Sequence, residues 1–185
     1  MENPAYPPEL EALLSPQRDP AELFTELLPT LGKLLACDRC FLYLRHPESR
    51  LGQVPFCWRR SDAFADLTDT HWKPEDPTQL EQQDPLFAAA LRGEHSIFIE
   101  DVETANAAVV NLEFERQNFG HRSLVHAHLW SHGQLWGILQ PCNFTRPRPW
   151  QELDKSVIIH TVQKITPLAV KYVKTHCPAA TSASQ

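Results

Sequence analysis

The sequence predicts an α+β fold: one antiparallel β-sheet of about five to six strands sandwiched by helices. Three observations predict it. Apolar residues recur at helical spacing near both ends of the chain, over "DPAELFTELLPTLGKLLAC" and again from about Trp150 to Thr175. Between them lie β-patterned runs, "RCFLYLRH", "GQVPFCWRR" and the hairpin "SLVHAHLWSHGQLWGILQPC". Strands that are neighbours in sequence, with helices before, between and after them, pack as a sheet with helical layers. A chain of 185 residues, 42% hydrophobic and 22% charged, suits one globular core.

The elements follow in order. Residues 1–18 are expected to be an N-terminal tail with one short helix at "PELEALL". The domain is expected over 19–175. Asp19 caps its first helix, Pro20 suits the first helical position and Glu22 completes the capping signature. Leu23, Phe24, Leu27, Leu28, Leu31, Leu34 and Leu35 form its apolar face, and Pro29 predicts a kink. Strands are expected at 39–46 and 52–60, with Pro55 placing the second at an edge or a bulge. Residues 61–78 read as loop. A helix begins at Asp84-Pro85, "HSIFIEDV" is a short strand, and "ETANAAVVNLEFERQNFG" reads as a helix ending at Gly120. The hairpin turns at His132-Gly133. A long amphipathic helix ends the domain, and 176–185 is expected to be a disordered tail.

Charge and cysteines exclude several functions. The net charge of −6 gives nucleic-acid binding no electrostatic support. No apolar run reaches about 18 residues, so no membrane span is expected. The proline-rich, acidic start is not a signal peptide, and an odd set of five cysteines (Cys37, Cys40, Cys57, Cys142, Cys177) reads as reduced thiols in a cytoplasmic protein. Cys37 and Cys40 form a Cys-x-x-Cys without the second pair of a zinc site or the βαβ context of a redox site, so two buried thiols are expected. Nothing in the sequence matches a P-loop, a nucleophile elbow or a zinc-protease helix, and no enzyme is expected.

Two separated stretches carry a resemblance. "LLPTLGKLLACDRCFLYL" is similar to the opening of a GAF domain, and "GQLWGILQPCNFTRPRPWQELD" resembles its closing half. The series "LWG", "PR" and "W" before the last helix resembles the bilin-binding GAF domains of phytochromes and cyanobacteriochromes, over roughly residues 19–174. The resemblance implies a GAF-like fold, a cyanobacterial source and a photosynthesis-related role in signal transduction. In that family the bilin is usually held by a thioether to a cysteine on the helix before the last strand pair. The matching position falls at about Asn111-Leu112, and no cysteine lies between Cys57 and Cys142. A thioether needs a thiolate nucleophile, so covalent bilin is not expected. Cys57 is the candidate for a displaced linkage, although "FCW" on a strand is more simply a core position.

Strict alternation from the His132-Gly133 turn puts Val125, Ala127 and Leu129 on one face with Trp136, Ile138, Gln140 and Cys142. The resemblance implies that this face points into the ligand pocket, so Trp136, Ile138, Gln140 and Cys142 are the ligand-pocket candidates. His126 and His128 would then face the terminal helices or a partner subunit, as hydrogen-bonded, partly buried residues with no ligand set for a metal. Few polar pocket groups are identifiable, and Phe114, Phe119 and Trp136 are expected to fill the space. No cofactor is expected.

The apolar stripe of the last helix is wider than one sheet needs. Together with the resemblance, this predicts a homodimer through terminal helices, with Arg146, Arg148, Trp150, Ile159 and Val170 as interface candidates. The functional expectation is a non-catalytic, stand-alone regulatory or assembly protein that acts on another protein. The alternative is a small-molecule or non-covalent tetrapyrrole sensor with a working pocket.

Overall fold

The computed structural model describes residues 6–76, 78 and 80–178, so the ends of both expected tails lie outside the described residues. Helix α2 (Pro20–Leu34) begins where the sequence indicates. Asp19 Oδ1 accepts the amide N–H groups of Ala21 and Glu22, and Pro20 occupies the first turn. Strands β1 (Arg39–His46), β2 (Leu51–Arg59), β3 (Asp69–Pro74), β4 (Ile97–Ile99), β5 (Ser123–Ser131) and β6 (Gln134–Asn143) form one antiparallel sheet in the order β3-β2-β1-β6-β5-β4. Between Gln53 and Phe56, β2 carries one residue more than β1, so Pro55 lies in a bulge, where its missing N–H costs no ladder bond.

One face of this sheet is covered by long helices. Leu23, Phe24, Leu27, Leu28 and Leu31 of α2 pack with Val157, Ile158, Ile165 and Val173 of α6 (Glu152–His176) on Leu42, Leu44, Val125, Ala127, Leu129 and Leu139. Gly32 is required by this packing, because a Cβ there would lie 2.2 Å from the Trp58 ring. The other face is covered by short helices, α3 (Leu80–Gln83), α4 (Pro85–Leu91) and α5 (Leu112–Asn118), and the loops between them.

Three expectations about elements change. The stretch 69–74, read as loop, is the edge strand β3, whose polar composition hides the strand pattern. Of the helix expected over 103–120, only 112–118 is α-helical, capped by Asn111, which accepts the Phe114 N–H. The short helix expected in the N-terminal stretch forms as α1 (Pro8–Leu13), but it is part of the core rather than a tail, with Leu10 and Leu14 buried on the helix side. Tyr6 Oη lies 2.8 Å from Thr161 Oγ1 and its ring packs, tilted, against His160, so this segment covers part of α6. Among the described residues no helix is long and apolar enough to cross a membrane.

Candidate functional site

The site begins with a bulge. Across the β5-β6 hairpin, Trp130 pairs with Leu135 but Leu129 pairs with Gly137, which leaves Trp136 as an extra residue. The turn itself is as expected, with His132 and Gly133 both at positive φ. One inserted residue reverses the facing of everything beyond it, since side chains alternate with a period of two. Trp136 therefore points into the helix-side core. Ile138, Gln140 and Cys142 face the short helices together with Leu124, His126, His128 and Trp130.

Two of the expected faces are thus corrected. Trp136 is not a pocket residue: its ring lies 5.9 Å from that of His46, under the Lys174 ammonium. His126 and His128 do not face the terminal helices. Gly137 follows the bulge because β1 approaches closely there, and a Cβ at 137 would lie 2.5 Å from the Tyr43 carbonyl oxygen.

Beneath the short helices lies a cavity of about 350 Å³, a volume in the range of small-molecule sites. Its floor is the sheet, through Phe41, Tyr43, His126, Ile138 and Gln140. Leu86, Phe87, Asp84, Glu115 and Phe119 roof it, and β3 supplies the rim at Asp69, His71 and Lys73. Phe119 lines the space without filling it, and Phe114 packs edge-on against Phe119. The filled pocket expected from the sequence is therefore not what forms. Of the four pocket candidates, Ile138 and Gln140 line the cavity. Cys142 shares their face but is fully buried beyond it, beside Leu124 and Ile99, with its thiol 3.5 Å from the Arg39 carbonyl oxygen.

The polar groups around the cavity are ordered by buried contacts. Glu75 accepts from Arg45 at both oxygens, 2.6 and 2.8 Å, and from the Tyr43 hydroxyl at 2.6 Å. That network ties the end of β3 to β1 beside the cavity mouth. At the opposite end, Arg39 Nη2 lies 2.8 Å from His121 Nε2, and His121 Nδ1 lies 2.6 Å from Glu115 Oε1. Arginine only donates, so Nε2 accepts and Nδ1–H faces the carboxylate. Burial holds the His121 pKa below its ordinary value. Asp84 caps α4 by accepting the Leu86 N–H, and desolvation raises its pKa to about 6.

His126 and His128 are buried and, as the sequence suggests, hydrogen-bonded, with Nδ1 of the first 2.9 Å from Nε2 of the second. Burial lowers the pKa of both. Among the described residues no three His, Cys, Asp or Glu side chains converge on a point where a metal could sit.

The thiols bear on covalent chemistry. Asn111 and Leu112, at the expected attachment position, open α5 and offer no nucleophile. None of the five cysteines lines the cavity. Cys57 lies in a separate groove with Phe24, Pro29 and Trp58. Burial pushes the Cys37 thiol up to about 12 and those of Cys40 and Cys142 well above their usual value, which leaves them inert.

The interface candidates divide. Trp150 is buried and donates from Nε1 to the Ile99 carbonyl, while the Arg148 guanidinium stacks over its ring and bonds Asp154. The proline-rich loop folds back on its own domain, so neither side chain is free for a partner. Arg146 is exposed, Ile159 is 45% exposed and Val170 is half-buried.

The comparisons agree with this architecture. Residues 19–165 match the family model of the GAF domain, and the chain belongs to that family. Its structure is similar to the blue-light-absorbing form of the Thermosynechococcus elongatus PixJ GAF domain, at 19% identity over 91% of this chain and 96% of that one, TM-score 0.62. It is also similar to the phycoerythrobilin-bound GAF domain of a cyanobacterial phytochrome, at 18% identity over 91% and 95%, TM-score 0.68. The GAF domain of an Acinetobacter phosphoenolpyruvate-protein phosphotransferase matches at 9% identity over 92% and 95%, TM-score 0.66. At these identities the likeness is one of fold. No curated protein matches in sequence.

Proposed function

We propose that this GAF domain is a non-catalytic regulatory module that binds a small molecule non-covalently in the cavity between the sheet and helices α3–α5. The observation that carries this reading is the cavity itself: about 350 Å³, walled by Phe41, Phe87, Phe119 and Ile138, furnished with His126, Gln140 and Glu115, and without a cysteine on its wall. An apolar space with a few convergent polar groups is what a ligand site needs, and the missing thiol argues for reversible occupancy.

Occupancy is then passed to another protein. Leu153 and Ile159, 47% and 45% exposed on α6, are the apolar residues offered to such a partner or to a second copy of the chain.

Native mass spectrometry of the protein purified from its own host tests the reading. A small-molecule increment that survives gentle transfer and disappears on denaturation is expected. A mass increment that persists after denaturation, with zinc-enhanced fluorescence on a denaturing gel, would instead mean a covalent bilin.

A further inference from the structure

The hydrogen-bond pattern around the cavity specifies more than a shape. The Glu94 carbonyl oxygen lies 2.8 Å from His128 Nδ1. A carbonyl only accepts, so His128 carries its proton on Nδ1 and leaves Nε2 as an acceptor. That Nε2 is 2.9 Å from His126 Nδ1, so the proton between the rings belongs to His126 Nδ1. With both rings neutral, His126 is left with an unprotonated Nε2. The residue is only 3% exposed and lines the cavity, and no described residue bonds that nitrogen. A fixed, buried acceptor is thus presented to the cavity.

Two carboxylates add acceptors beside it, and the Gln140 amide adds both a donor and an acceptor. Glu115 is 4% exposed and uses Oε1 for His121, while Oε2 receives no hydrogen bond from any described residue. Asp84 lines the same space. Of the cations, Arg45 is engaged by Glu75 and the Leu135 carbonyl, Lys73, at the rim, by Asp69, and Arg39, behind the Phe41 ring, by the Ala65 carbonyl and His121, with its Nε unpartnered. An anionic ligand would meet acceptors and carboxylates. Phe41, Tyr43, Phe87 and Phe119 supply aromatic walls, which attract flat rings and cations.

We propose that the cavity is selective for a flat aromatic ligand bearing N–H donors, neutral or cationic, whose donors are received by His126 Nε2 and the Glu115 and Asp84 carboxylates. The inference rests on the reading of the cavity as a binding site. It sets the polarity of the ligand: donor-rich and without a carboxylate or phosphate.

Three flat probes of similar size separate the two levels by calorimetry: 2-aminobenzimidazole, a cationic donor; indene, with neither charge nor donor; and benzofuran-2-carboxylate, an anion. The first is expected to bind at least about tenfold more tightly than the others, a tenfold ratio being about 1.4 kcal/mol. His126→Phe is expected to remove that preference. Equal binding of indene, or tighter binding of the anion, would overturn the polarity and leave the binding site standing. Binding of none of the three would overturn both. Imidazole ¹⁵N spectra of the wild type do not depend on the variant's folding. They are expected to show Nδ1–H tautomers with bare Nε2 at both His126 and His128, with the His126 Nε2 signal moving on addition of 2-aminobenzimidazole. A protonated His126 Nε2 in the free protein, or a signal that does not move at saturation, would overturn the inference.

Discussion

On strand β1, Leu42 and Leu44 are fully buried against α2 and α6, while Phe41 and Tyr43, their neighbours in sequence, look into a 350 Å³ cavity. The two faces of one sheet are finished differently because different elements cover them. Helices of 15 and 25 residues lie over the first and present enough leucine, isoleucine and valine to close it. Helices of four and seven residues, joined by loops, cover the second and leave space that polar side chains share. The face under the long helices is closed by apolar side chains, and the other encloses the cavity.

Truncation tests the contrast most strongly. Leu27→Ala, at full burial on the helix face, is expected to cost about 2–5 kcal/mol in denaturant unfolding. A cost below about 1 kcal/mol would mean that this face is loosely packed and that the contrast fails.

The next effect is acid sensitivity, which belongs to the cavity face. His121, His126 and His128 have folded pKa values below the unfolded 6.5, so the unfolded chain binds more protons below that pH. Stability should be fully present above about pH 6.5 and fall as pH drops through it, by up to about 1.4 kcal/mol per pH unit for each histidine. Urea midpoints from pH 7 to 5 measure the slope. A flat profile would show that these rings are charged or solvated.

Overpacking comes third. Gly32→Ala drives a methyl into Trp58 on the helix face and should cost about 1–3 kcal/mol. Asp84→Asn keeps the α4 cap and removes a desolvated charge. The Asp84 pKa is raised on folding to about 6, so the wild type loses stability as pH rises from about 4 to 6. The variant should gain about 1–2 kcal/mol at pH 7 and nothing below about pH 4. Equal midpoints at both pH values would contradict the burial of that carboxylate. Gln140→Leu should have the smallest effect, within about 1 kcal/mol, because the cavity has room for the change. A large loss would mean that the Gln140 amide holds the fold rather than serving the cavity.

The sequence by itself determined the helix-covered face. The Asp19-Pro20 cap, the leucine spacing of α2 except at Leu34, which is exposed, the Pro55 bulge, the His132-Gly133 turn and the GAF resemblance all rest on local patterns and match the structure. Ile138 and Gln140, which line the cavity, were pocket candidates through the family resemblance, although alternation had grouped them with Val125, Ala127 and Leu129 on what is the helix-side face. The tertiary structure alone decided the rest. Nothing in "GQLWGILQ" marks Trp136 as an inserted residue, because a bulge is a relation between two strands, and that one residue decides which face His126 and His128 occupy. Asp84 and Glu115 lie 31 residues apart in sequence and reach the same cavity only when α4 and α5 pack over the sheet. The covering of α6 by Tyr6 and the return of Trp150 to the Ile99 carbonyl are likewise long-range contacts. Local periodicity states which side of an element is apolar, whereas its partner is chosen by how all the elements close together.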